Sequence, residues 1–425
     1  MTNDRTDRDD VVAFTGARLI DGRGGAPVPD ATVVVDKGRV AAAGSRADVS
    51  VPPGARTVEL KGRSILPGLI DAHLHVGNID VSMYKTAELS PAVYVHRASR
   101  NLETALDLGF TSLRDAGGLD FGFKEAIDAD LIRGPRLFLS ISPLTPTGGH
   151  FDMRRGRDLS VVPRNSIGVC PEICDGADAV RKSAREVIRR GADQIKVAAD
   201  GGVDSPSDLP GHWQFSIEEM RAAVEVAEST GRYVMAHAYA PVPIQHCLEA
   251  GVRSIEHGNL MDAETAKMVA DRGAYYVPTL TIYDLFAREA AGTIDEFAQR
   301  KLHLVHEAGR RALEFACNAN VRIGSGSDIL GPYHHLIGRE LSLKAVEMGS
   351  MDAIVAATRV NAEILGMQET IGTLEAGKEA DLIVVDGDPL SDPLIFENGL
   401  ETVLLVMKGG RVMKNLMPGS GCDQG

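Results

Sequence analysis

Between residues 65 and 328, eight short β-like runs alternate with amphipathic stretches, and few folds accept that alternation. The runs are ILPGLIDAHLH (65–75), TSLRD (111–115), PRLFLS (135–140), DQIKVAA (193–199), YVMAHA (233–238), SIEHG (254–258), YYVPTL (275–280) and RIGSGSD (322–328). Between most of them lie segments such as VHRASRNLETALDLG, DAVRKSAREVIRRG, SIEEMRAAVEVAESTG and DAETAKMVADRG. Each ends in glycine, the usual helix stop, and several begin at Ser or Asp, which cap helix N-termini. The pattern predicts an α/β chain folded as a (β/α)8 TIM-like barrel over 65–375. An open doubly wound sheet is the competing arrangement, but no G-x-G-x-x-G follows a strand.

The two ends of the chain read differently. VVAFTGARLI, ATVVVDKGRV and RTVELKGRSI are short β-like runs punctuated by DGRGG and VPPG, and the far end repeats the style in ADLIVVDGD and TVLLVMKGGRV. Segments 1–64 and 376–425 are therefore expected to form one composite small β-sandwich, since chain termini often lie close together. A length of 425 residues accommodates two such units. The net charge of −14, with no Lys/Arg-rich run, argues against a nucleic-acid surface or an anionic membrane as partner. The opening MTNDRTDRDD carries no apolar signal region, and no stretch of 18 apolar residues suggests a membrane span. Five scattered cysteines (Cys170, Cys174, Cys247, Cys317, Cys422) read as thiols of a reducing compartment, so a cytoplasmic protein is expected.

In a barrel, chemistry sits at the C-terminal ends of the strands. The first strand ends in His73 and His75, which point to one face because they are two residues apart. The fourth carries Lys196, the fifth ends in His237, the sixth in His257 and the eighth in Asp328. His212, His246, His303 and His306 fall in helices or loops and read as surface or packing residues. Lys196 stands among apolar neighbours in DQIKVAAD, where lysine is rarely buried unpaired. It is either paired with a nearby acid or a neutral amine that takes up carbon dioxide, turning a cation into a two-oxygen ligand that can bridge two metals. Arg154 and Arg155, in the loop after the third strand, are candidates to receive a substrate carboxylate.

PGLIDAHLHV, the strand-four lysine in GADQIKVAADGGV, HAYA, SIEHG, the closing GSD and the late GTLEAGKEADLIVVDGDPL together resemble the amidohydrolase superfamily, from about residue 12 to 415. RDAGG (114–118), GPRLF (134–138), TPTGGH (145–150), GGVDSP (201–206) and IEHGNL (255–260) are most similar to the imidazolonepropionase-like branch that contains Xaa-Pro dipeptidases, arginine/lysine carboxypeptidases and ochratoxin-type amidases. The resemblance implies two Zn2+, or other divalent cations, bridged by an N6-carboxylysine at Lys196 and a hydroxide. It implies that His73, His75 and Asp328 bind one metal and His237 and His257 the other, with Asp328 as proton shuttle and His150 and Tyr239 beside the substrate. The implied reaction is hydrolysis of a peptide or amide bond in a dipeptide or N-acyl amino acid bearing a free carboxylate. Many relatives have Thr where this chain has Ser327, which keeps the hydroxyl.

Lactone or phosphotriester hydrolysis would use the same hydroxide. Deaminases of this barrel usually run on one metal, lack the lysine and place a glutamate three residues after the strand-five histidine; here that position is Ala240. A non-enzymatic assembly surface would be expected to have lost ligands, and all six are present. The partners expected are a small peptide-like substrate and further copies of the chain in a homo-oligomer.

Overall fold

The computed structural model describes residues 11–154 and 170–418. All eight expected runs contribute parallel strands, in chain order: Leu69–Leu74, Phe110–Asp115, Arg136–Leu139, Ile195–Ala198, Val234–Ala238, Ser254–His257, Tyr275–Val277 and Arg322–Ile323. They are not one continuously paired ring. The first three form one sheet, and the last five, with Leu144–Thr145 and Glu172–Ile173, form another.

A few contacts cross both gaps. On one side, the chain that leaves the third strand at Leu139 re-pairs at Leu144 with Val197 of the fourth. On the other, Ala72 N donates to Ser325 O (2.8 Å) and His75 N to Ile329 O (3.1 Å). The buried Asp71 carboxylate accepts from His73 N (2.8 Å) and Ser327 N (3.0 Å), stitching the first strand to the segment after the eighth.

Helices follow the sequence signals closely. Ser216 caps Ile217–Glu228 and receives the Glu219 side chain in return, a full capping box. Asp262 caps Ala263–Asp271, its side chain accepting from Thr265 N. Among the described residues no helix is long and apolar enough to cross a membrane.

The expected single strand 65–75 is two elements. Ser64–Pro67 belongs to the terminal sheet, where it lies antiparallel to Leu382–Val385, and only Leu69–Leu74 enters the parallel array. Gly68 is the crossing point. Its N–H donates to Asp381 O (2.9 Å), and a Cβ there would collide with the Thr111 side chain. A continuous apolar run hid the change of sheet, because both halves are buried.

Strands from both ends of the chain share one eight-stranded sheet. Its order runs from Arg411–Asn415 through Val403–Lys408, Leu382–Val385, Ser64–Pro67, Val12–Leu19 and Val28–Asp36 to Arg39–Ser45, with Arg56–Glu59 alongside Val12–Leu19. Alternation along a strand explains how the sheet grips its neighbour. Leu382 and Val384 pack with Phe14, Val33 and Met407 in the sheet's own core. Ile383 and Val385 face the other way, into the large core with Phe110 and Leu108. LIVV is therefore apolar throughout because each face covers a different core.

Candidate active site

The C-terminal ends of the parallel strands bring together side chains from distant parts of the chain. His73 Nε2 lies 3.5 Å from Asp328 Oδ1, and His75 Nε2 also lies 3.5 Å from that oxygen. His257 Nδ1 lies 3.9 Å from Asp328 Oδ2. Ligand atoms of His73, His257 and Asp328 all fall within 4.8 Å of one another. Lys196 Nζ is 3.3 Å from His73 Nε2. The His237 ring lies 4.5 Å from that of His257, centroid to centroid.

Each imidazole is held by one nitrogen. His75 Nδ1 donates to Gly117 O (2.9 Å) and His237 Nε2 to Gly201 O (3.2 Å); a carbonyl only accepts, so the opposite nitrogen of each ring carries the lone pair. His73 Nδ1 donates to Glu256 Oε2 (2.7 Å), and His257 Nδ1 pairs with Thr279 Oγ1 (2.8 Å). Anchors of this kind set ring orientation and tautomer at metal sites. Glu256 is itself clamped by Arg114, whose Nη2 donates to both carboxylate oxygens (2.9 and 3.0 Å) while Nη1 reaches Ser254 Oγ (3.0 Å). Both charged partners are wholly buried.

Burial also sets the protonation states. It holds His73, His237 and His257 well below the ordinary histidine range and brings His75 down to about 4. Neutral imidazole is the metal-binding form. Burial pulls the Lys196 amine down to about 8, against the pull of Glu256 and Asp328, and pushes the Asp328 carboxyl up to about 8. Among the described residues Lys196 has no ion pair with an acid, so the paired-lysine reading finds no partner here.

The backbone is strained at the same place. His257 (φ 73°), Thr279 (φ 50°) and Asp328 (φ 54°) are all left-handed without being glycine. Such residues cost on the order of 1–3 kcal/mol each and gather at functional sites.

His150 reaches the cluster from its loop. Its ring stacks on His237 at 4.0 Å and 19°, and Nδ1 lies 3.2 Å from Ser205 Oγ. Tyr239 lies 5.4 Å from the His257 ring, and its oxygen accepts from Tyr283 Oη (2.9 Å). Arg154 does not turn to the cavity. It forks onto Asp152, with Nε to Oδ1 at 2.6 Å and Nη2 to Oδ2 at 2.5 Å. Arg155 and Cys422 lie outside the described residues. Above the cluster the cavity is lined by Phe151, Val203, Asp204, Ile282, Phe286 and Ile294, among others.

Sequence reasoning missed Glu256, Arg114 and Thr279. A signal existed for the first two: a charged residue in the middle of an otherwise apolar strand must have a partner. Thr279 had none.

The model of the amidohydrolase family matches residues 64–413. Ochratoxinase of Aspergillus niger is 33% identical over 433 residues, spanning 98% of this chain and 89% of the relative. Its crystal structure superposes with a TM-score of 0.85 over 98% of each chain, at 32% identity. A prolidase solved with N-methylphosphonate-L-proline is 36% identical, with a TM-score of 0.91 over 95% of this chain and 100% of that one. A Xaa-Pro dipeptidase with methionine bound in its active site is 27% identical, with a TM-score of 0.86 over 95% and 99%.

Proposed function

The chain belongs to the amidohydrolase family, hydrolases whose relatives here act on amide bonds, and from that premise we propose a binuclear, zinc-dependent amidase on a TIM barrel formed by the two parallel sheets. Its substrate is a dipeptide or N-acyl amino acid with a free carboxylate. The observation that carries this reading is the convergence of His73, His257 and Asp328 ligand atoms within 4.8 Å, with Lys196 Nζ at 3.3 Å from His73 Nε2.

The donor set fits the cations. His73, His75 and Asp328 would hold one and His237 and His257 the other. Lys196, buried and without an acid partner, would bridge them as its carbamate. Bound divalent cations supply Lewis-acid polarisation and a nucleophilic hydroxide near neutral pH.

The chain's own residues do the rest. Asp328 acts as the proton shuttle: as a carboxylate it takes the proton of the attacking water and hands it to the leaving nitrogen. His150, kept neutral by burial and stacked on His237, stands beside the substrate's reacting group. Tyr239 remains a phenol because burial raises its pKa. Its oxygen already accepts from Tyr283, so its own O–H is free to orient the substrate. Phe151, Val203, Ile282, Phe286 and Ile294 form an apolar wall that excludes water and receives an apolar acyl group or ring.

Metal analysis of purified protein, combined with a panel of dipeptides, N-acyl amino acids, lactones and paraoxon-like esters, tests the reading. Two equivalents of metal and amino-acid release from the peptide-like members support it. Lactone or phosphotriester cleavage alone, ammonia release alone, or metal-free protein after zinc loading would replace it. Light scattering on the same sample tests the homo-oligomer, which we carry as part of this proposal along with a cytoplasmic location.

A further inference from the structure

One polar side chain on the cavity wall has no partner among the described residues. Asn78 lines the cavity and is 5% exposed. Its backbone is fully used: the N–H donates to His75 O (3.1 Å), and the carbonyl accepts from Gly331 N (2.6 Å). These two bonds fix it between the exit of the first parallel strand and the segment that follows Asp328. The carboxamide is different. Oδ1 is buried with no partner, and among the described residues the amide nitrogen makes no hydrogen bond either.

A buried carboxamide left without partners is costly, and folded chains keep few of them. Leucine has nearly the same shape and would carry no such penalty. Residues that give up stability in this way gather where a ligand is bound. A ligand entering here needs such a group as well. A peptide-like substrate carries N–H donors, which lose their water in a closed cavity and require an acceptor there. Asp328 is taken by the proton shuttle, and Asn78 is the one carboxamide lining the cavity among the described residues. The terminal torsion of asparagine is soft, so rotation about it turns the oxygen toward a ligand.

We propose that Asn78 is a substrate-binding residue whose carboxamide oxygen accepts an N–H of the substrate, either the hydrogen of the scissile amide or that of an α-amino group beside it. This rests on the amide-hydrolase reading and adds to it the group that holds the substrate's nitrogen. Both sources offer one chemistry, an N–H aimed at a neutral oxygen, and matched substrates tell them apart.

Zinc-loaded wild-type protein and Asn78→Leu are compared on three substrates: alanyl-leucine, propionyl-leucine, which lacks the α-amino group, and alanyl-N-methylleucine, which lacks the scissile N–H. Asn78→Leu should lower kcat/KM for alanyl-leucine by about 10-fold, the scale of one hydrogen bond, and leave at least one of the other two unchanged. An unchanged propionyl-leucine places the partner at the α-amino group; an unchanged alanyl-N-methylleucine places it at the scissile nitrogen. Equal losses on all three substrates, or no loss on any, overturn the proposal. The melting temperature of metal-free Asn78→Leu should equal or exceed that of wild type, since the free protein has no bond there to lose. A fall of more than about 3 °C also overturns it. If no peptide is cleaved, the amidase reading falls, and calorimetry still decides on Asn78: leucine should bind wild type more tightly than isocaproate, its amine-free analogue, and Asn78→Leu should erase the difference. Equal binding of the two by wild type decides against Asn78.

Discussion

Strand Ser254–His257 and strand Leu382–Val385 are both four residues long and fully buried, yet they are built from opposite materials. The first buries Glu256 and His257 in a chain that runs from Arg114 through Glu256 to His73. The second buries only hydrocarbon, two residues to each of two cores. Charge taken out of water is costly unless paired, whereas apolar side chains gain roughly 1.5–3 kcal/mol each on full burial. The strand ends therefore draw on stability that the terminal sheet and the large core supply. Left-handed His257, Thr279 and Asp328 add to the same load. Stability and chemistry occupy separate regions, and substitutions should separate them.

The largest separation is expected at Lys196. Lys196→Ala should lower kcat/KM by on the order of 10³ or more while leaving the melting temperature equal or higher, because it removes a buried amine along with the bridge. Activity that survives with full metal content would break the comparison at its root. Next comes Arg114→Met, which strands Glu256 without its cation. Chemical denaturation should show a loss of about 3–5 kcal/mol, with activity falling too as His73 loses its anchor. Leu382→Ala in the sheet core should cost about 2–5 kcal/mol, yet kcat/KM per folded molecule should hold. Equal stability losses with opposite effects on turnover are the signature sought; a matching activity loss in Leu382→Ala would show that the two regions are coupled.

Smaller effects sharpen the picture at the site. Thr279→Val removes the partner of His257 Nδ1 and should weaken metal binding by about 10–100-fold in competition titrations with a chelator. Metal uptake by stripped protein in bicarbonate should rise by a few-fold as pH climbs through about 8. The sign follows from both groups: above that pH the Lys196 amine is neutral and able to take up carbon dioxide, and Asp328 is ionised and able to bind metal. Uptake that is flat or falls over this window would argue against a carbamate at Lys196.

Much of this architecture was readable along the chain. Strand runs, glycine stops and Ser or Asp caps are local signals, and every one of the eight strands stands where its run predicts. His73, His75, His237, His257 and Asp328 were legible because strand ends have a known side in a parallel array. Arg154 was misleading: its charge suggested a carboxylate partner, and the structure supplies one two residues away in Asp152. The passage of the chain between sheets at Gly68 was hidden in continuous hydrophobicity, visible only once Thr111 packs against it.

By itself, then, the amino-acid order determined which elements form and which reactive side chains stand at their ends, since periodicity and capping act over a few residues. Tertiary structure alone decided which nitrogen of each anchored histidine is free and that, among the described residues, Lys196 forms no ion pair. Those outcomes depend on partners such as Arg114 and Glu256, 142 positions apart, which only folding makes neighbours.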